Sequence, residues 1–340
     1  MRGVVMYGPG DVRVEECDEP GIELSTDAVI RLAATCVCGS DLWSYRGIES
    51  PQWPVPMGHE YCGVVEQVGS AVTTVRPGQF VVGSFFASDN TCEICQAGYQ
   101  SGCIHREAAC PGGAQAQLMR VPLADGTLVA TPALPEPDLI PSLLAASDVL
   151  GTGWFAAKAA EAGPGKTVAV VGDGAVGLLG VMAAKQLGAE RIIAMSRHED
   201  RQKLALEFGA TDIVTERGDE GVERIKELTG GYGAHSVLEC VGTPEAMQQA
   251  IRSTRRGGHV GYVGVPHDVQ LDGIEMFFSH VHLHGGPAPV RGYLPHLIEL
   301  IWNGTINPGR VFDLHLPLDQ AAEAYQAMDK RRAIKVLLQP

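Results

Sequence analysis

Residues 166–177 read Lys-Thr-Val-Ala-Val-Val-Gly-Asp-Gly-Ala-Val-Gly, an apolar run that stops on a glycine-rich turn and opens a helix-forming segment. A buried strand feeding three spaced glycines and then a helix is the start of a βαβ unit. Each glycine has its own task. Gly172 permits the tight turn, Gly174 lets an anionic group approach the backbone, and Gly177 lets helix and strand pack closely. The helix N-terminus adds partial positive charge. The spacing alone is a weak signal, but in this context it is a dinucleotide fingerprint. Gly172, Gly174, Ala175, Val176 and Gly177 are its candidate contacts.

The texture beyond the fingerprint supports the same fold. A helix over Ala175–Leu187 is stopped by Gly188, a strand follows at Arg191–Met195, and a helix over Glu199–Phe208 is stopped by Gly209. Further strands are expected at Thr211–Val214, Ser236–Cys240, His259–Val263 and Val281–His284, with helices between several of them. That alternation predicts a doubly wound parallel sheet. Residues 1–147 read differently, as short alternating runs such as Gly3–Met6, Asp27–Ala33 and Cys62–Val68 divided by Gly/Pro turns. After Gly285-Gly286 the pattern changes again, to helices over Gly292–Trp302 and Gln320–Met328 and a last strand at Ile334–Leu338. At 340 residues two domains are expected. The expectation is an α/β protein with a Rossmann domain over 149–283. A β-rich domain would be assembled from 1–148 and 284–340.

A net charge of −14 argues against nucleic acid and anionic membrane as partners. No apolar run approaches membrane-spanning length, and the first residues carry no signal-peptide pattern. Nine cysteines, an odd number, favour a reducing compartment with thiols held by metal or buried. A cytoplasmic location is expected.

Two cysteine-bearing constellations carry chemistry. The first joins Cys38, His59 and Asp148, one thiolate, one imidazole and one carboxylate from three separate segments. Three protein ligands with a fourth position open is the layout of a catalytic zinc. The second, Cys92-x2-Cys95-x7-Cys103, has the spacing of a closed structural site. The alternating His280, His282 and His284 would share one face of a strand, where packed histidines are a better reading than a metal site.

The string Gly58-His59-Glu60-x-x-Gly63-x5-Gly69-x-x-Val72, with the fingerprint downstream, resembles the zinc-dependent medium-chain dehydrogenase/reductase family over essentially the whole chain. The resemblance implies a GroES-like β-rich catalytic domain and two zinc ions per chain. It makes Cys38, His59 and Asp148 the catalytic zinc ligands, Glu60 a transient ligand behind the metal, and Asp41 the group that orients His59. It places Ser40 as the hydroxyl that hands on the substrate proton. Where many members end that relay with His, this chain has Trp43, whose indole cannot accept and release a proton. The family's fourth structural ligand falls on Asp89, and Cys110 is the alternative. Thr152 and Val263, Gly264 and Val265 would flank the nicotinamide, and Lys335 would lie near the pyrophosphate.

The second strand ends in Ser196-Arg197-His198 and lacks the carboxylate that NAD-specific members use on the ribose diol. Ser196 and Arg197 can instead meet a 2′-phosphate, which favours NADP over NAD, although Glu199 could take the ribose. The implied activity is hydride transfer between NADP(H) and a small alcohol, aldehyde or ketone, in a homotetramer (a dimer is the fallback) paired through the edge near His259–Val263 or Val281–His284. Rival readings are an NAD-dependent polyol or threonine dehydrogenase, and a non-enzymatic zinc- or nucleotide-binding redox sensor.

Overall fold

Val168–Val171, Ile192–Met195 and Val237–Leu238 are buried apolar runs, as strands covered on both faces must be. The computed structural model, which describes residues 1–108 and 110–340, assembles them into a six-stranded parallel sheet. In chain order its strands are β1 (Thr167–Val171), β2 (Arg191–Met195), β3 (Asp212–Val214), β4 (Ala234–Glu239), β5 (Thr254–Tyr262) and β6 (His282–Gly285). Their spatial order is 3-2-1-4-5-6, the doubly wound arrangement that binds ligands at the carboxyl ends of its strands. Ala169, Val171, Ile193, Met195, Val214, Val237 and Val260 form the core on one face.

This sheet belongs to a compact unit, Val149–Ala288. The other unit is Met1–Asp148 with Pro289–Pro340, so the chain leaves the parallel sheet after β6, a few residues beyond the expected 284. Two strand expectations are corrected. Of the two strands expected at a shared edge, β5 pairs with β4 on one side and β6 on the other, so β6 is the edge strand, with β3 at the opposite edge. His280 lies off the strand, ending the helix Gly273–Ser279 in a left-handed conformation at φ 54°. His282 stacks on His259 at 4.4 Å and His284 meets Phe155 edge-on at 5.7 Å.

The helix Val149–Ala159 escaped sequence reading. All of its residues but Lys158 are buried, so no polar stripe marks its period. Gly153 lets it approach the helix Ala175–Gln186, since a Cβ there would lie 2.6 Å from the Gly180 nitrogen.

In the discontinuous unit the largest sheet runs Phe312–Pro317, Lys335–Gln339, Ala28–Cys36, Tyr61–Val68, Phe80–Gly83 and Leu128–Ala130, with Leu118–Val121 also pairing to Ala28–Cys36. The C-terminal strand is therefore internal, and its register places Leu337 opposite Cys36. On the other side of Ala28–Cys36, Thr35 stands opposite Tyr61. No single helix among the described residues is long and apolar enough to cross a membrane.

Candidate metal centre and nucleotide turn

The register just described sets the first site. Cys38 lies two residues past its strand, His59 and Glu60 just before theirs, and Lys335 at the start of the last one. Asp148 arrives from the helix Ile140–Ala146, and the hydroxyl of the intervening Ser147 accepts from the Tyr61 amide at 3.2 Å. One donor atom each from Cys38, His59, Glu60 and Asp148 lies within 4.8 Å of the others. Cys38 Sγ and Asp148 Oδ2 are 3.8 Å apart, and His59 Nε2 and Asp148 Oδ2 are 3.3 Å apart. A tetrahedron with bonds of roughly 2.0–2.3 Å has edges of about 3.3–3.8 Å, so this donor set fits zinc.

Asp41 serves the same cluster. Its Oδ1 is 3.5 Å from His59 Nδ1, and its Oδ2 accepts from the Cys38 amide at 2.9 Å. Burial raises the Cys38 thiol and the Asp41 carboxyl above their ordinary values. Burial opposes protonation of His59, but Cys38, Asp41 and Asp148 outweigh it and hold the ring well above the usual imidazole range. Buried donors that retain protons in this way can exchange them for a divalent cation. Ser40 begins the short helix Asp41–Tyr45 without a side-chain capping bond, so its hydroxyl is not committed to the helix end. Trp43 lies in that helix. Ala109 lies outside the described residues.

Lys335 is the residue expected near the pyrophosphate. It is 1% exposed, and its Nζ donates to Glu60 Oε1 at 2.6 Å and to the Val37 carbonyl at 3.2 Å. Its ammonium is therefore spent inside the catalytic unit. Glu60 Oε2 is buried without a partner, beside the donor cluster. Gln115, which no motif marked, ties the site together by donating to the Cys36 carbonyl and accepting from Tyr325. Phe85 packs edge-on to His59 at 6.1 Å and supplies an apolar wall.

The second cluster joins Asp89, Cys92, Cys95 and Cys103. Sulfur–sulfur distances from Cys92 are 3.5 and 3.9 Å, and Asp89 Oδ1 lies 3.5 and 3.3 Å from Cys95 and Cys103. These are again tetrahedral edges. Cys110 lies elsewhere, 4.0 Å from the His59 carbonyl. The exposed His105, unmarked by any spacing rule, holds the outer oxygen of Asp89 at 2.5 Å. Amide hydrogen bonds from Cys95 and Ile104 bring the Cys92 thiol down to about 7.

In the nucleotide unit Gly172 turns at φ 118°, and a Cβ on Gly177 would come within 2.0 Å of the Gly172 carbonyl. Nothing lies within 4 Å of where a Gly174 Cβ would point, the open approach that a pyrophosphate needs. The helix Ala175–Gln186 starts there. Val263 and Gly264 follow β5, and their amides donate to the Glu239 carbonyl at 2.9 and 3.3 Å. Buried Glu239 also holds the Val241 and Gly242 amides with Oε1, at 2.8 Å each. Glu239, which no motif marked, thus holds the 241–242 turn with its carboxylate and the 263–264 turn, expected at the nicotinamide, with its carbonyl. Thr152 is buried in the helix Val149–Ala159, and Glu199 is exposed. Ser196 is buried at the end of β2, whereas Arg197 is exposed.

Residues 25–133 match the alcohol dehydrogenase GroES-like domain family, and 175–301 match the zinc-binding dehydrogenase family. The chain is 36% identical to a probable zinc-binding alcohol dehydrogenase of Mycobacterium tuberculosis, over 96% of this chain and 84% of that one. It is 33% identical to zinc-type alcohol dehydrogenase B of Aspergillus flavus, over 99% and 81%.

This chain belongs to the zinc-dependent medium-chain dehydrogenase/reductase family.

Among solved structures, the alcohol dehydrogenase of Thermus sp. ATN1 aligns with this dehydrogenase at a TM-score of 0.90, with 32% identity over 100% of this chain and 99% of that one. The dehydrogenase is an oxidoreductase of the alcohol dehydrogenase type, with a GroES-like domain and a parallel nucleotide sheet.

Proposed function

We propose that this dehydrogenase transfers hydride between a small alcohol, aldehyde or ketone and NADP(H), with a catalytic zinc on Cys38, His59 and Asp148. The observation that carries the reading is the gathering of Cys38, His59 and Asp148, with Glu60, within 4.8 Å of one another, and a Ser40 hydroxyl two residues past the thiolate that makes no helix cap. When bound, the zinc supplies Lewis acidity toward an alcohol or carbonyl oxygen, and the nicotinamide gives or accepts the hydride. Asp41 orients His59. Ser40 accepts the proton of the substrate hydroxyl and returns it in the reverse direction. Trp43 ends the protein's part of that relay, because an indole takes no proton onward. Phe85 excludes water beside the cluster.

Asp89, Cys92, Cys95 and Cys103 would hold a second zinc whose role is to fold its loop. Identities of 32–36% do not choose between the nicotinamides. The choice of NADP rests on the basic corner at Ser196, where Arg201 and Arg217 gather and the exposed Arg197 follows in sequence. One observation favours NAD instead: Asp173 brings a carboxylate to the same corner. A second copy would pair along β6, one of the two sheet edges, next to a helix that exposes Ile274, Phe277 and Phe278. A dimer formed that way would double into the expected tetramer.

The test is a panel of alcohols and carbonyls run with NADP and NAD under matched conditions, alongside elemental analysis. Turnover with NADP above NAD, and two zinc ions per chain, are expected. Ser40→Ala should lower turnover by roughly a hundredfold or more with zinc retained. No turnover across the panel would remove the enzymatic reading and favour a redox sensor. A preference for NAD would remove only the cofactor assignment.

A further inference from the structure

Between the first two fingerprint glycines stands Asp173, and three elements converge on its carboxylate. Ser196, at the end of β2, donates its hydroxyl to Oδ2 at 2.7 Å. Arg201, on the helix Glu199–Glu207, brings Nη1 to 3.4 Å from Oδ1 and donates to the Asp173 carbonyl at 3.1 Å. Arg217, just before the helix Gly218–Leu228, brings Nη2 to 3.9 Å from Oδ2 and to 3.3 Å from the Met195 carbonyl. The side chains are largely withdrawn from solvent, at 15% exposure for Asp173, 12% for Arg201 and 32% for Arg217. The cluster sits where β1, β2 and β3 end, on the ligand-binding side of a doubly wound sheet.

A hydroxyl and two guanidinium groups around one carboxylate form the donor set that a phosphate monoester takes. A 2′-phosphate entering this corner meets donors already turned toward an internal anion, and that anion repels it. A ribose 2′-hydroxyl meets no such repulsion and can donate to the carboxylate. We propose that Asp173 sets the balance between the two nicotinamide cofactors, as an internal anion that competes with the 2′-phosphate of NADP for Ser196, Arg201 and Arg217. The proposal rests on the nicotinamide reading above but not on which cofactor the wild type prefers.

The test compares the wild type with Asp173→Asn, which keeps the shape and an acceptor for Ser196 while removing the charge. Dissociation constants for NADP, NAD, 2′,5′-ADP and 5′-AMP are read by calorimetry. The variant should shift the ratio of NAD to NADP dissociation constants toward NADP by roughly ten- to a hundredfold, the scale of one unit charge removed near a dianion. Binding of 2′,5′-ADP should tighten while that of 5′-AMP does not. Arg217→Ala should move the ratio the other way by about tenfold, and keeps the test open if the first variant fails to fold. A ratio unchanged within about twofold in both variants, with both cofactors still bound, overturns the role given to Asp173. A wild type that prefers NAD, with a ratio that still shifts, overturns only the NADP assignment. A wild type that binds neither cofactor overturns both.

Discussion

The two candidate metal clusters use similar donors and are built in opposite ways. Asp89, Cys92, Cys95 and Cys103 come from one short loop whose own turns aim the ligands, with Asp89 Oδ1 accepting from the Thr91 and Cys92 amides. Cys38, His59 and Asp148 come from distant segments, and strand register, Ser147 and Gln115 hold them together. On the proposed reading the loop would depend on a metal for its shape, whereas a cluster pinned by a sheet would keep its shape regardless. If both hold zinc as proposed, the difference teaches that the loop site would contribute folding energy while the distributed site would spend it on positioning reactive groups.

The strongest way to break that contrast is Cys38→Ala. Activity should fall to background, while thermal unfolding stays within a few degrees of the parent. A collapse of the fold in circular dichroism would show that the distributed site is structural as well. Next comes Cys95→Ala, which should lower stability by roughly 2–4 kcal/mol and expose the 89–105 loop to proteolysis. An unchanged melting temperature and an uncut loop would mean that the loop folds without metal.

A smaller effect should follow His105→Ala. Losing the partner of Asp89 should weaken zinc retention at the loop site by about tenfold in competition with a chelator. Turnover should be unaffected, because His105 touches only the loop cluster. Equal zinc loss from both sites would contradict the separation drawn here.

The smallest expected effect is on pH dependence after metal removal. Without metal, burial raises Cys38 and Asp41, and nearby anions raise His59 against burial. The folded state then binds more protons than the unfolded chain, so stability falls as pH rises. For His59 this contribution is fully present below the ordinary imidazole range and is lost as pH climbs through its raised value. Zinc requires the deprotonated ligands, so its stabilisation grows with pH. Melts with and without chelator should therefore diverge more at pH 8 than at pH 6. A gap that stays constant or narrows would place the raised groups outside the metal site.

Much of the scaffold was legible before any coordinates. The strand Arg191–Met195 begins and ends where apolar pattern and glycine stops put it. The fingerprint glycines have the conformations their spacing implied. The helix Val149–Ala159 was invisible because apolar residues surround it, and periodicity needs a polar face to be read. His280 looked like part of a strand, but alternation does not show where a strand starts.

Residue types and short-range spacing, by themselves, determined the fold class, the local Cys loop and the glycine turn. These depend on chemistry within a few residues of chain, where backbone geometry leaves little choice. Tertiary structure alone decided what lies beside what. It buried Lys335 against Glu60, set Gln115 behind the ligands, put Glu239 under two loops and placed Asp173 among arginines. Such pairings come from strand register and from helices returning across a sheet. A single sequence carries no separate mark for them, because each partner is an ordinary residue until the fold brings it to the other.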